Sequence, residues 1–261
     1  MRSIAEITSV KNPHILSARE LSTHKGREIR RAFLCEGEHM AGEALAVCPG
    51  NIHTLFVSAD KLEKYAALLS KTPPNIPVFS VTDHVMSSLS QVKTPQGIAA
   101  VVAFPKPVSL QSQEKKLVLL ENLQDPGNVG TILRTLDAAG FQGCILTPGC
   151  ADPFAPKTLR ATMGSIFRVP LTFTTESDKP LETLKAQGYA LLAAELSGEP
   201  FYERSVLPEK ICLLIGNEGA GLTPSTCAAA THRFRLPMSG GAESLNAAIA
   251  AAVMMYDLIN R

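Results

Sequence analysis

The stretch Leu117-Val118-Leu119-Leu120-Glu121-Asn122-Leu123-Gln124-Asp125-Pro126-Gly127-Asn128-Val129-Gly130 changes character twice within a few residues. Its opening is continuously apolar, the pattern of a strand buried on both faces of a parallel sheet. Asp, Asn, Pro and Gly then crowd together, as they do in turns. From Val129 to Ala139 the apolar positions Ile132, Leu133, Leu136 and Ala139 recur at helical spacing, with Asn128 as a candidate N-cap. Strand, turn and helix follow one another, and a strand covered on both faces requires helices on both; the fold class is α/β.

Toward the C-terminus the pattern repeats. Apolar runs at Cys144 to Leu146, Tyr189 to Ala194 and Ile211 to Ile215 alternate with helical segments, which predicts a mostly parallel sheet. Ser244 to Ile259 is Ala- and Met-rich and apolar on nearly every side, so it should pack deeply into its own domain or against a partner subunit. Upstream, Phe104 to Gln113 contains Pro and Ser without periodicity and reads as a linker. Before it, Asn12 precedes a helix opening at Pro13. Then come Phe33 to Cys35, Glu38 to Val47, Ile52 to Val57, Lys61 to Leu69, Val78 to Val81 and Gly97 to Val102, a further alternation of helices and strands. The expected domains are residues 1–103 and 116–261, joined by a linker at 104–115.

Composition agrees with this division. The chain has 261 residues, 45% of them hydrophobic, enough for two cores. Its longest run without Asp, Glu, Lys or Arg, Ala44 to Ala59, is broken by Pro49 and Gly50, so no membrane-spanning helix is expected. Glu6 interrupts the start before a signal-peptide core can form, and a cytoplasmic location follows as an expectation. The six cysteines form no Cys-x-x-Cys pair, which predicts free thiols and no metal site.

Net charge is +1, from 25 basic and 24 acidic residues, and does not point to nucleic acid. The basic residues are not evenly spread, however. Lys11, Arg19, Lys25, Arg27, Arg30 and Arg31 face only Glu20 and Glu28 between Val10 and Arg31. Lys25, Arg27, Arg30 and Arg31 are the candidate phosphate contacts; a plain solvated helix face is the other reading.

Three segments carry polar residues beyond what a scaffold needs. In the first, Arg134 lies off the apolar stripe and leans back over Gly130 toward Asn128, so a cation and an amide would meet at a helix N-terminus that also attracts phosphate. A capped turn with a surface arginine fits the same residues. The second, Ile215-Gly216-Asn217-Glu218-Gly219-Ala220-Gly221-Leu222, sets an acid among glycines directly after a buried strand, in an order unlike the dinucleotide fingerprint. An ordinary strand-to-helix loop remains open there. In the third, Phe234 to Asn246, Ser244 can cap the last helix, which leaves Glu243 and Asn246 without a structural duty.

Together and in this order the three segments resemble the motifs of the SpoU/TrmH branch of the SPOUT RNA methyltransferases. Asp152 to Lys157 and Arg160 to Ser165 resemble the stretch between that family's first two motifs. Thr8 to Pro13, Glu36-Gly37-Glu38 and Thr94 to Gly97 resemble its amino-terminal substrate-binding domain, related to a ribosomal-protein fold. The resemblance implies a deep trefoil knot in the C-terminal domain, an exception to ordinary chain topology, and a homodimer. It also implies S-adenosylmethionine, held bent by the backbone around Leu196, Ile215, Gly216, Leu236, Met238 and Leu245. The implied reaction is methylation of a ribose 2′-hydroxyl, with Asn128, Arg134, Glu218, Ser244 and Asn246 at the site. A general-base role is sometimes given to the arginine of this motif, but a guanidinium scarcely deprotonates; Arg134 is better suited to gripping phosphate and stabilising a developing alkoxide. The extra N-terminal module favours ribosomal over transfer RNA. A transfer-RNA methyltransferase and a non-catalytic RNA-binding or ribosome-assembly factor are the alternatives.

Overall fold

The computed structural model describes residues 4–106, 114–176 and 178–260, and most of the expected linker lies outside them. The chain divides into two compact units, Met1–Lys106 with Phe154–Phe167, and Pro107–Pro153 with Arg168–Arg261. The segment Phe154–Phe167, which lies in sequence within the expected second domain, packs in the first unit. Its Phe154 ring stacks on Phe33 and Phe104 at centroid distances of 5.0 and 4.3 Å.

The first unit runs β1 (Ala5–Ile7), α1 (Pro13–Glu20), α2 (His24–Arg30), β2 (Ala32–Glu36), α3 (Glu38–Val47), β3 (Ile52–Ser58), α4 (Ala66–Ser70), β4 (Val78–Val81), α5 (Asp83–Leu89) and β5 (Ile98–Ala103). Its sheet has the order β1-β4-β3-β5-β2, with β5 antiparallel to both neighbours. Asn12 caps α1 by accepting from the His14 N–H, and Pro13 sits in the first turn, where its missing N–H costs nothing. Ile15 and Ala18 of α1 and Val85, Met86 and Leu89 of α5 bury against Phe56 and Val81. The expected segment Lys61 to Leu69 is helical only at α4 and in a short turn before it.

The second unit contains β6 (Lys116–Leu120), α6 (Pro126–Ala138), β7 (Gly143–Leu146), β8 (Leu171–Phe173), α8 (Lys179–Ala186), β9 (Ala190–Pro200), β10 (Ile211–Ile215), α9 (Pro224–Ala229), β11 (His232–Arg235) and α10 (Ala247–Asn260); α7 (Pro156–Thr162) belongs to the first. Six strands in the order β11-β9-β10-β6-β7-β8 pair in parallel throughout. Leu117, Val118, Leu119 and Leu120 are each at most 1% exposed, as a doubly covered central strand requires. Each such side chain contributes about 1.5–3 kcal/mol of burial. Helices α8 and α9 cover one side of this sheet, with Leu181 and Leu184 in contact with Leu191 and Leu214.

Two helix starts differ from expectation, for one reason. α6 begins at Pro126 because Asp125, not Asn128, is the N-cap and accepts from the Asn128 N–H at 2.9 Å. α10 begins at Ala247, where the Asn246 side-chain oxygen accepts from the N–H groups of Ala248 and Ile249. Asn246 therefore has the capping duty expected of Ser244, which is exposed. In each case a side chain one helical turn or less from the expected cap supplies the oxygen.

Candidate functional site

Strands β6 and β10 end side by side, Leu120 opposite Ile215, and the turns that leave them meet at that edge of the sheet. Open α/β sheets build ligand sites at such carboxyl ends. Glu218, in the loop after β10, accepts from the backbone N–H of Gln124 (3.2 Å) and Asp125 (2.9 Å) in the turn after β6. Because Asp125 takes over the cap, the Asn128 side chain is free to donate from Nδ2 to Glu218 Oε1 at 3.0 Å. Its Oδ1 accepts in turn from Asn246 Nδ2 at 2.9 Å. Asn128, Glu218 and Asn246, one from each of the three segments, thus form a single hydrogen-bonded chain.

Burial works to raise the Glu218 pKa. Donation from Asn128 and from the backbone N–H groups of Asp125, Glu218 and Gln124 outweighs it and holds the carboxyl below the ordinary value of 4.5. Glu218 is therefore ionised at neutral pH and acts as an acceptor that orients its donors.

Beside this chain lies a cleft of about 200 Å³. Leu196, Ile215, Gly216, Leu236, Met238 and Leu245 all line it, with Glu218 and Ser244 at its edge. Gly216 has no room for a side chain, since a Cβ there would stand 2.2 Å from the Gly221 carbonyl carbon. Asn217 shapes the loop: its Oδ1 accepts from Gly219 and Ala220, both at 3.0 Å, and its Nδ2 donates to the Asn122 carbonyl.

Arg134 stands apart, exposed on α6 and without a hydrogen bond or ion pair among the described residues. The basic cluster also divides. Lys25 is exposed, while Arg30 pairs with Glu20 and Arg31 with Glu28. Arg27 is 4% exposed and donates to the Leu21 carbonyl, so its charge is held inside the unit rather than on a face.

Sequence reasoning gave no role to Glu121, which is buried and accepts from Thr223 N–H, Thr223 Oγ1 and Thr226 Oγ1. It fastens the end of β6 to the start of α9 and so fixes the loop that carries Glu218. An acid immediately after a four-residue apolar run is the signal that could have pointed to it. Asn217 was hidden for a different reason, because the glycines around it drew the reading. Burial pushes the Cys35 thiol up to about 12 and raises Cys144 and Cys212 as well, which leaves these thiols protonated. Among the described residues no group of His, Cys, Asp and Glu is placed to hold a metal ion.

Residues 115–256 match the model of the SpoU rRNA Methylase family, and residues 12–100 that of the MRM3-like substrate binding domain. A Bacillus subtilis relative, 23S rRNA (guanosine(2553)-2′-O)-methyltransferase RlmP, is 34% identical over 97% of this chain and 98% of its own length. The AdoMet-bound rRNA methyltransferase of Sinorhizobium meliloti superposes with a TM-score of 0.85 at 33% identity, covering 97% of each chain. The SpoU methyltransferase AviRb of Streptomyces viridochromogenes, solved with AdoMet, gives 0.84 at 27% identity over 96% of this chain and 98% of its own. With three segments joined at the carboxyl edge of a parallel sheet and a family match over most of the second unit, the chain belongs to the SpoU rRNA methylase family.

Proposed function

We propose that this protein methylates a ribose 2′-hydroxyl of structured RNA from S-adenosylmethionine, and that the RNA is ribosomal. The observation that carries the reading is the hydrogen-bonded chain Glu218–Asn128–Asn246, whose Glu218 lines the cleft. The named activity of the Bacillus relative supports ribosomal over transfer RNA.

The cleft fits the cofactor's chemistry. Leu196, Leu236, Met238 and Leu245 offer apolar walls to an adenine and a methionine chain, and Gly216 lets the Gly221 backbone close the loop beside them. When bound, the cofactor supplies an electrophilic methyl group on a sulfonium. The protein's own residues hold the acceptor in line and exclude water. Ionised Glu218 fixes the rotamer of Asn128, Asn246 holds its other end, and Ser244 closes the cleft edge. Arg134, with its guanidinium uncommitted, grips a phosphate of the target nucleotide and stabilises the charge developing on the 2′-oxygen; as the oxygen–methyl bond forms the sulfonium carbon–sulfur bond would break to leave a thioether, and the hydroxyl proton passes to bulk water.

In this reading two chains associate through the C-terminal unit. Ile249, Tyr256 and Ile259 leave apolar surface on α10 at 50%, 45% and 37% exposure, a face suited to a second copy. The second unit carries the trefoil knot of its superfamily. No helix among the described residues is long and apolar enough to cross a membrane, and the protein works in the cytoplasm with its RNA.

The test pairs binding with turnover. Arg134→Ala should bind S-adenosylmethionine in calorimetry as the wild type does, while methyl transfer falls by about 10²–10³-fold, the cost of losing one charge-stabilising donor. An unchanged rate removes Arg134 from the site. RNA binding by a wild-type protein that takes up no S-adenosylmethionine would favour the non-catalytic assembly factor.

A further inference from the structure

The first unit contains an open groove of about 380 Å³ between α1, α2 and strands β2, β3 and β5 of its sheet. His14, Ile29, Arg30, His53 and Thr54 are among its lining residues, and no acid is. Several features are unusual for plain surface. Ile29 is 71% exposed on a helix whose other side chains are mostly charged, an apolar surface left uncovered at the groove. His14 is exposed and its ring lies on Phe79, centroids 4.6 Å apart, which holds the imidazole in one orientation. His53 occupies a β-bulge: the register of β3 against β5 shifts between Ile52 and Thr54, so His53 is the extra residue and its exposed side chain is re-aimed out of the ladder. Arg30 donates to Glu20 only from Nε, at 2.7 Å, and its two terminal nitrogens make no hydrogen bond among the described residues.

A fixed flat ring, an aliphatic side chain, a cation with free donors and a second imidazole make a set matched to one ligand class. Unstacked RNA bases lie on rings and aliphatic surface, and their phosphates pair with arginine. We propose that this groove seats a single unstacked nucleotide of the RNA substrate, its base against His14 and Ile29 and its phosphate on Arg30, with His53 bonding the sugar–phosphate edge. The groove then anchors the RNA at a point separate from the methylated nucleotide. The proposal rests on the RNA reading above and deepens it by naming where the first unit grips.

The experiment uses the full chain and a short thiouridine-substituted, fluorescein-labelled oligoribonucleotide. Anisotropy should show a roughly tenfold loss of affinity for the double variant His14→Ala/His53→Ala, the scale of one lost base-stacking contact. Arg30→Gln should lower the slope of log affinity against log salt by about 0.7, one phosphate contact on a single strand. Circular dichroism and a thermal melt should match the wild type for both variants, which verifies that they fold, and calorimetry with S-adenosylmethionine should give wild-type affinity. Photo-crosslinks should map to the peptides holding His14, Ile29 or His53. Variants that bind RNA as the wild type does, or crosslinks confined to other peptides, overturn the groove and leave the RNA reading intact. A wild type that binds no RNA overturns both. Displacement of the oligonucleotide by a polyglutamate peptide at equal concentration overturns the nucleotide as occupant.

Discussion

Glu218 accepts three hydrogen bonds from groups that precede it by some ninety residues in the chain, two from backbone and one from Asn128. These bonds make it an organiser of other groups. Glu218→Gln keeps the size but loses the charge, and Asn128→Ala cuts the path to Asn246. Each should lower kcat by about a hundredfold with a smaller effect on the cofactor's dissociation constant, because misplacing a reacting group costs on that scale. Rapid-quench methyl transfer and calorimetry check the two halves. The pH dependence has a definite sign. The folded pKa of Glu218 lies below its unfolded value of 4.5, so its contribution to stability is present above pH 4.5 and is lost as pH falls through the folded pKa. Urea unfolding from pH 7 downward should show the wild type losing its advantage over Glu218→Gln only below about pH 4.5. Asn128, Glu218 and Asn246 were legible as polar residues in odd places. Their mutual bonds were not, because nothing in linear spacing shows that Asp125 takes the cap and releases the Asn128 side chain. Arg27 was illegible for a related reason: a basic residue in a basic cluster gives no sign that its guanidinium turns inward to the Leu21 carbonyl.

At the scale of elements, strands were easier to place than helix starts. Continuous apolar runs announced β6, β7 and β10 to within a residue, since a strand buried on both faces has little freedom of composition. The short strands β1, β8 and β11 gave no such signal: each has at least one exposed position and owes its place to a neighbour already in the sheet. Helix starts depend on which of several nearby Asp, Asn or Ser oxygens reaches an N–H, and sequence offers the candidates without ranking them. The cap at α6 is directly testable. Asp125→Ala should cost about 1 kcal/mol of stability and lower the melting temperature of the second unit, as loss of an N-cap does. Gly216→Ala should do more. A methyl group at 2.2 Å from the Gly221 backbone must push the loop aside, and calorimetry should find S-adenosylmethionine binding lost while circular dichroism stays that of a folded chain.

For the molecule as a whole, the α/β class and the parallel sheet could be read from periodicity, and the three motifs in their order from the resemblance to a known family. The placement of Phe154–Phe167 in the first unit could not, because aromatic stacking between Phe154, Phe33 and Phe104 joins residues far apart in the chain. Association is the property that one chain shows least. If α10 forms the contact between two copies, Ile249→Asp combined with Tyr256→Glu should yield a monomer in sedimentation equilibrium, whereas the wild type sediments as a dimer; an unchanged mass would move the interface elsewhere. The central claim is that the carboxyl edge of the second sheet delivers a methyl group to a sugar oxygen. It is tested most directly by incubating the purified protein with tritiated S-adenosylmethionine and ribosomal RNA from cells lacking its gene, then digesting the RNA to nucleosides. The account predicts label in one 2′-O-methylated nucleoside, lost with Asn128→Ala. Label on a base, or RNA that remains unlabelled, would contradict it.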